Sequence, residues 1–317
     1  MIFHDINYYK NFDSIAKEVF ELLAHTIKVN TFVITIFDQS QSFIVKSFNR
    51  NASLINSGDT LTFNQILCKM VIENNMEPVV IDNIKDNPLT RNHPILTMLH
   101  NGCYMGAPIT NEDRIIGTLC AFDNKPYDFK VYDEVLLKSL ASLISQTVII
   151  ENGIIRDSLT GLYNRNFIFN YFEYNKEEIQ NDMSLLYIDL DNFKYFNDAF
   201  GHDMGDIVIK RTAECLLESA PEDSYVARIG GDEFIILLHS SQAEDFTTST
   251  KQIAENILEQ LSNMPIQIGG KEHKVSASMG VSFYPEHGNE MITLLKRADH
   301  SMYAAKEGKK RIHYYSS

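Results

Sequence analysis

Two short acidic stretches carry the side chains best suited to chemistry. Asp189-Leu190-Asp191 directly follows the apolar run Ser184–Ile188. Gly230-Gly231-Asp232-Glu233 separates two further apolar runs, Tyr225–Ile229 and Phe234–Leu238. A strand that ends in a carboxylate holds it on a fixed edge. A turn that uses glycine for close backbone approach presents its acids at a hairpin tip. If those strands pair, the two acidic sites become neighbours. Carboxylates with a backbone carbonyl suit Mg²⁺, which takes oxygen ligands and keeps water and substrate phosphates. An acidic hairpin turn is also ordinary turn chemistry, so the tetrapeptide alone leaves both a site and a plain turn open. An EF-hand calcium loop is excluded. With Asp189 and Asp191 at its first and third positions, the next acidic position, the glycine and the final glutamate would be Phe193, Lys194 and Phe200.

The elements around these residues form a recognisable order. In the second half, a turn-rich stretch at Asp157–Asn164 leads into a helix over Arg165–Gln180. Ser184–Ile188 is a strand, Phe193–Asp198 a short helical piece, and Ile207–Ser219 a helix with Asp206 as N-cap. The hairpin follows, then a helix at Phe246–Leu261, a strand at Val275–Phe283 and a helix at Glu290–Lys306. This β-α-β-β-α-β order is the ferredoxin-like signature. The first half reads as a helix over 11–28 and strands at Thr31–Phe37 and Ser42–Phe48. A helical stretch at Asn64–Asn74, a short apolar run at Val79–Ile81 and a loop to about Pro94 come next. A hairpin of Tyr104–Ile109 and Ile115–Phe122 turns at Asn111–Asp113. Both halves are α+β. Between them, Leu136, Leu140, Leu143, Thr147 and Ile150 step by four and three. They fit either a coiled-coil seam or a helix capping the first domain.

At 317 residues the chain has room for two domains. The boundaries expected are a first domain over 1–131, a linker helix over 132–156 and a second domain over 157–317. Composition is that of ordinary globular protein, with 44% hydrophobic and 22% charged residues. The net charge of −14 divides as −4 over residues 1–150 and −10 over 151–317, which opposes general nucleic-acid binding. No apolar run reaches the roughly 20 residues of a membrane span, and the N-terminus lacks a secretory pattern. Cys68, Cys103, Cys120 and Cys215 form no C-x-x-C pair. A reducing cytoplasm fits, and Cys68, Cys103 and Cys120 sit in apolar surroundings as core residues.

Five ordered motifs in residues 155–317 resemble the GGDEF family. Asp157-Ser158-Leu159-Thr160-Gly161-Leu162-Tyr163-Asn164-Arg165 is similar to its D-x-L-T-G-L-x-N-R entry. Asp189 to Asp198 is similar to D-x-D-x-F-K-x-x-N-D, and Gly201-His202-Asp203-Met204-Gly205-Asp206 to G-H-x-x-G-D. Ala227 to Phe234 carries the signature, and Ala298 to Lys306 resembles the closing helix. The resemblance implies a palm-type, ferredoxin-like diguanylate cyclase domain that joins two GTP into cyclic di-GMP and releases pyrophosphate. It implies Mg²⁺, with Mn²⁺ as a substitute, held by Asp189, Asp232 and the Leu190 carbonyl, with Glu233 beside them. Asp232 and Glu233 are the implied catalytic pair. Asn197 and Asp206 would read guanine, with Phe193, Lys194 and His202 at the nucleotide and Lys306 and Lys310 at its phosphates. Each domain would hold one GTP, so catalysis implies a homodimer. The alternative is a catalytically silent nucleotide receptor, and a cyclase acting on a single nucleotide is a third reading.

This sequence departs from the family twice. Pro221-Glu222-Asp223-Ser224 stands where many members carry the R-x-x-D product-binding site, which implies no product inhibition there. Ala305-Lys306-Glu307-Gly308-Lys309 is one residue shorter than the usual A-K-x-x-G-[RK], leaving Lys309 or Lys310 to reach phosphate. Residues 12–150 resemble a GAF domain through Pro78–Asp82, Tyr104–Ile109 and Ile116–Asp123. That implies a sheet with flanking helices and a small-molecule ligand of unknown identity. His25, His93 and His100 read as solvated or hydrogen-bonded rather than as haem ligands.

Overall fold

The computed structural model describes residues 5–6, 8–37, 41–62, 66–111, 114–176, 183–240, 245–268, 271–308 and 310–316. The chain divides into two compact units, Met1–Asn152 and Gly153–Ser317.

The first unit holds α1 (Phe12–Thr26), β1 (Thr31–Phe37), β2 (Gln41–Asn49), β3 (Thr60–Thr62), α2 (Cys68–Glu73) and β4 (Val79–Ile81). They are followed by α3 (Leu96–Leu99), β5 (Cys103–Asn111), β6 (Arg114–Asp123) and most of α4 (Val131–Ile155). The strands form one antiparallel sheet in the order β3-β2-β1-β6-β5-β4. Six of the seven β1 residues are buried, so this central strand is covered on both faces rather than alternating between core and solvent. On one face Val33, Ile44, Cys120 and Phe122 pack with Leu67, Val71 and Leu99 of the α2 and α3 regions.

The hairpin expected of β5 and β6 is present, although residues 112–113 of its turn lie outside the described residues. So do residues 64–65 of the expected Asn64–Asn74 helix; among its described residues the helix is shorter, running over Cys68–Glu73 as α2. The helix α3 was not expected. Buried Glu151 of α4 accepts hydrogen bonds from the backbone of Lys10 and Asn11 and from the Asn11 side chain. Its carboxylate thus serves the N-terminus of α1, where the helix dipole favours negative charge. Among the seam positions of α4, Leu140 and Thr147 are buried, whereas Leu143 and Ile150 are 49% and 62% exposed.

The second unit contains β7 (Tyr163–Asn164), α5 (Arg165–Asn175), β8 (Met183–Leu190), α6 (Phe193–Phe200), α7 (His202–Ser219), β9 (Tyr225–Gly230) and β10 (Glu233–His239). Then come α8 (Phe246–Asn263), β11 (Ile266–Ile268), β12 (Lys271–His273), β13 (Ala277–Tyr284), α9 (Met291–Glu307) and β14 (Ile312–Tyr314). Its main sheet runs β14-β13-β8-β10-β9-β7. The inner four strands with their helices realise the β-α-β-β-α-β order, so the chain is α+β in both units. Leu186, Ile188, Phe234 and Ile236 from the sheet pack against Val208, Ile209 and Leu216 of α7 and Ile257, Leu258 and Leu261 of α8. The α5 helix opens on Asn164, whose side chain accepts from Phe167 N–H. Its expected continuation over residues 177–180 lies outside the described residues.

One local expectation is corrected. Asp206 is not an N-cap, because α7 begins at His202, and Asp206 lies inside its second turn. The break falls at Gly201, whose φ of +89° separates α6 from α7 at a conformation that glycine adopts without steric cost. The Gly205 N–H already closes a helical bond on the Gly201 carbonyl.

Candidate functional site

Strand pairing brings the two acidic stretches together. β10 runs antiparallel to β8 with Glu233 opposite Asp189, and the Leu190 N–H donates to the Asp232 carbonyl at 3.3 Å. β13 flanks β8 on its other side, with Ser278 opposite Asp189. Asp189, Asp232 and Glu233 therefore occupy one end of adjacent strands, each partly buried. The Leu190 side chain is in the core, so only its backbone is free to serve a ligand. Asp191 is set apart: its N–H donates to the Ser276 carbonyl, and its carboxylate accepts from Ser278 Oγ at 2.8 Å.

The electrostatics follow from this crowding. Burial raises the Asp189 carboxyl above its ordinary value. Lys306 partly offsets this, and the neighbouring Asp232 and Glu233 add to it. Lys306 Nζ of α9 lies 2.5 Å from Asp189 Oδ1. Tyr187, two residues along β8 and hence on the same face, donates from Oη to Glu233 Oε1 at 2.9 Å. Burial and then that carboxylate push its phenol well up. Carboxylate charge is thus in surplus over the one ammonium that Asp189 meets. Among the described residues no three His, Cys, Asp or Glu side chains converge as a ready-made metal centre. Two carboxylates and a carbonyl nonetheless fit Mg²⁺, which leaves its other positions to water and phosphate oxygens.

The signature turn is buttressed from a distance. Gly231 has a φ of +44°, and its carbonyl accepts from Arg228 Nε at 2.9 Å. Arg228 Nη1 in turn meets both oxygens of Asp157 at 3.0 and 3.1 Å. Burial acts to raise the Asp157 carboxyl, but hydrogen bonds from Thr160 and Arg228 outweigh it and hold it below its usual value. The entry motif therefore supports the turn that carries Asp232 and Glu233. Nothing in the local pattern of either stretch announced this contact, which spans 71 residues.

The helices beside the strand ends form a second feature. Asn197 Oδ1 on α6 is buried and has no hydrogen-bond partner among the described residues. Gly205 on α7 faces it, and a Cβ at that position would stand 1.9 Å from Asn197 Oδ1 and 3.3 Å from Phe193 Cζ. The missing side chain makes room for that amide. An orphaned buried acceptor costs free energy unless a ligand supplies a donor. Phe193 is partly buried here. Lys194, His202 and Asp206 are exposed on the same two helices. Lys310 is exposed and lines a groove with Asp191, Asn192, Ser276, Ser278, Lys306 and Arg311. Lys309 lies outside the described residues.

Asp157, Arg228 and Gly205, which entered only as parts of resembling motifs, and Tyr187, which entered only as part of an apolar run, thus prove to support the site. The period-two placement of Tyr187 beside Asp189 was the one signal legible in advance.

Comparison with known proteins bears on both units. Residues 154–311 match the model of the family described as diguanylate cyclase, GGDEF domain, and residues 10–148 match that of the GAF domain. Cyclic di-GMP phosphodiesterase PdeR of Escherichia coli K12 is 37% identical over 153 residues, which is 48% of this chain and 22% of that protein. Diguanylate cyclase DgcP of Escherichia coli K12 is 26% identical over 327 residues, covering 95% of this chain and 92% of that one. A crystal structure of a sensory box/GGDEF family protein from Caulobacter crescentus CB15 is 34% identical, with a TM-score of 0.46, over 49% of this chain and 99% of that one. The chain spans about a fifth of the length of the first curated relatives it matches. No helix among the described residues is long and apolar enough to cross a membrane.

Proposed function

Since the chain belongs to the GGDEF family, with a GAF domain ahead of the GGDEF domain and a place in cyclic di-GMP signalling, we propose that it is a cytoplasmic diguanylate cyclase. It condenses two GTP into cyclic di-GMP and pyrophosphate, under control of a small molecule bound by the GAF domain. The observation that carries this reading is the pairing that sets Asp189 opposite Glu233, beside Asp232, together with the orphaned amide oxygen of Asn197 on the helix that follows β8.

In this reading Asn197 and Asp206 hold guanine, whose N1–H and exocyclic amine supply the donors that an amide oxygen and a carboxylate accept. Phe193 packs at the base, while Lys194 and His202 lie beside the nucleotide. Lys306 leaves Asp189 for the triphosphate, joined by Lys310, and cancels phosphate charge. Asp189, Asp232 and the Leu190 carbonyl hold Mg²⁺, with Glu233 beside them, and Mn²⁺ can substitute. The ion supplies charge neutralisation for a pentacoordinate α-phosphate. Asp232, with Glu233 beside it, takes the proton of the 3′-hydroxyl as it attacks the α-phosphate of the second GTP, the bond to the β-phosphate breaks and pyrophosphate leaves. That nucleotide sits on a second copy of the chain, so the active species is a homodimer. The exposed Leu143 and Ile150 of α4 suit such a contact.

A catalytically silent nucleotide receptor is the second reading. It is favoured by the similarity to PdeR, a protein named for breaking the phosphodiester of cyclic di-GMP rather than for making it. Incubation of the purified chain with GTP and Mg²⁺, with products separated by chromatography and mass, decides between them. Cyclic di-GMP with pyrophosphate, both abolished in a folded Asp232→Ala variant, is the expected result. Bound GTP without product supports the receptor. Undiminished product from Asp232→Ala refutes the assignment of this site.

A further inference from the structure

The first unit contains a buried cluster that the cyclase reaction does not use. Cys68 opens α2 and Cys120 lies in the middle of β6, 52 residues on, yet their sulfurs are 3.7 Å apart. Both are buried. Thr118 Oγ1 donates to Cys68 Sγ at 3.2 Å and lies 3.1 Å from Cys120 Sγ. Tyr104 Oη lies 3.8 Å from the first sulfur and 3.3 Å from the second.

An apolar cavity of about 30 Å³ adjoins them, lined in part by Cys68, Cys120, Tyr104 and Ser42. That is room for one or two water-sized molecules, far too little for a nucleotide or a tetrapyrrole. Ser42 Oγ is fully buried there and has no hydrogen-bond partner among the described residues. The cavity therefore offers one unused polar group to a small guest, beside two adjacent thiols.

We propose that Cys68 and Cys120 are an oxidisable dithiol, closed to a disulfide by hydrogen peroxide entering this cavity. The two sulfurs divide the chemistry unequally. Hydrogen bonds from Cys120, Thr118 and Tyr104 outweigh burial and lower the Cys68 thiol, while burial and the neighbouring Cys68 push Cys120 up. The hydrogen bonds run the same way: Cys120 Sγ donates to Thr118 Oγ1, which donates to Cys68 Sγ, so Cys68 is the attacking thiolate and Cys120, which keeps its proton, the resolving thiol. Cys68 sulfur attacks one peroxide oxygen and the O–O bond breaks. The departing hydroxide takes the proton Cys68 released and leaves as water, and Cys68 becomes a sulfenic acid. Cys120 sulfur then attacks Cys68 sulfur and the S–O bond breaks. The hydroxyl leaves as a second water with the Cys120 proton, and the S–S bond forms. Two thiols are oxidised and one peroxide is reduced to two waters.

Bond formation at about 2.05 Å requires the sulfurs to approach by roughly 1.6 Å. The first turn of α2 has no capping side chain to hold it against that movement. The other thiols are poorer targets: burial pushes buried Cys103 up to about 12 and raises half-buried Cys215.

The test is chemical and independent of cyclase activity. The full chain is treated with hydrogen peroxide, alkylated and digested without reductant, and its peptides are identified by mass. A Cys68–Cys120 linked peptide, two hydrogens lighter than its reduced parts, is expected, with Cys103 and Cys215 alkylated. In Cys120→Ala the reaction should stop at a Cys68 sulfenic acid that a cyclic dione traps, and Cys68→Ala should leave Cys120 reduced. Should either variant fail to fold, Thr118→Val keeps both sulfurs and should slow linkage in the folded chain several-fold. Oxidation at Cys215 while Cys68 and Cys120 stay reduced overturns the proposal, as does a linkage rate indifferent to Thr118.

Discussion

Gly205→Ala tests the nucleotide reading at a single atom. An added Cβ would stand 1.9 Å from Asn197 Oδ1, so the amide oxygen must retreat about 1.5 Å to reach ordinary van der Waals separation. A displacement of that size carries an acceptor out of hydrogen-bond range of any base placed to use it. Losing one buried ligand bond costs about 1.4–3 kcal/mol, a 10- to 150-fold rise in the GTP dissociation constant or KM. Stability should move little. Alanine in a helix interior is favoured over glycine by about 1 kcal/mol, which offsets much of the strain of turning Asn197 aside. The expected signature is weak GTP binding in a protein that melts within a few degrees of the wild type. Titration calorimetry with GTP and thermal melts by circular dichroism measure the two separately. Asn197→Ala should lose the same affinity at no cost in stability, since the orphaned oxygen gains nothing from the fold. The double variant should bind no worse than either single one, because both remove the same contact. Unchanged GTP affinity in a folded Gly205→Ala chain, or additive losses in the double variant, would refute the argument.

Other perturbations follow from the same geometry. Asp157→Asn should cost about 1.5–3 kcal/mol and lower product formation by loosening the Gly231 turn, read by thermal melts beside the turnover assay. The folded Asp157 carboxyl titrates below its unfolded value, so its contribution is present at neutral pH and lost as pH falls through the folded value. The stability gap between wild type and Asp157→Asn should therefore close below about pH 4; a gap constant with pH would contradict the assignment. Tyr187→Phe removes the hydroxyl that holds Glu233 and should lower kcat several-fold with KM for GTP unchanged; a shift in KM alone would place Tyr187 elsewhere in the mechanism. Ile150→Glu with Leu143→Glu puts charge on the exposed stripe of α4 and should shift sedimentation towards the monomer with a matching fall in turnover. A dimer that survives both substitutions would assign the contact to another surface.

Much of this protein was legible before any coordinates. Apolar runs of strand length, a Gly-Gly turn between two of them and helical spacing on either side specify elements by local rules, because side-chain period and turn chemistry depend only on near neighbours. They were enough for the β9–β10 hairpin, the existence of β8, read as Ser184–Ile188 and found as Met183–Leu190, and the order of the second unit. Local rules erred where two signals compete. Asp206 has the side chain of an N-cap, but Gly201 five residues earlier terminates α6 and lets α7 begin at His202. What the tertiary structure decided is every contact that depends on register. Glu233 faces Asp189 because β10 pairs with β8 at one register; a slip of one residue would turn Glu233 to the opposite face. Asp157 reaches Arg228, Asn197 Oδ1 fits into the space left by Gly205, and Cys68 meets Cys120. Each joins residues whose own neighbourhoods carry no trace of the other. Bringing distant segments together is opposed by chain entropy and rewarded only by the packing of the whole core. The information that selects those pairs is therefore spread over the core rather than written beside the residues themselves.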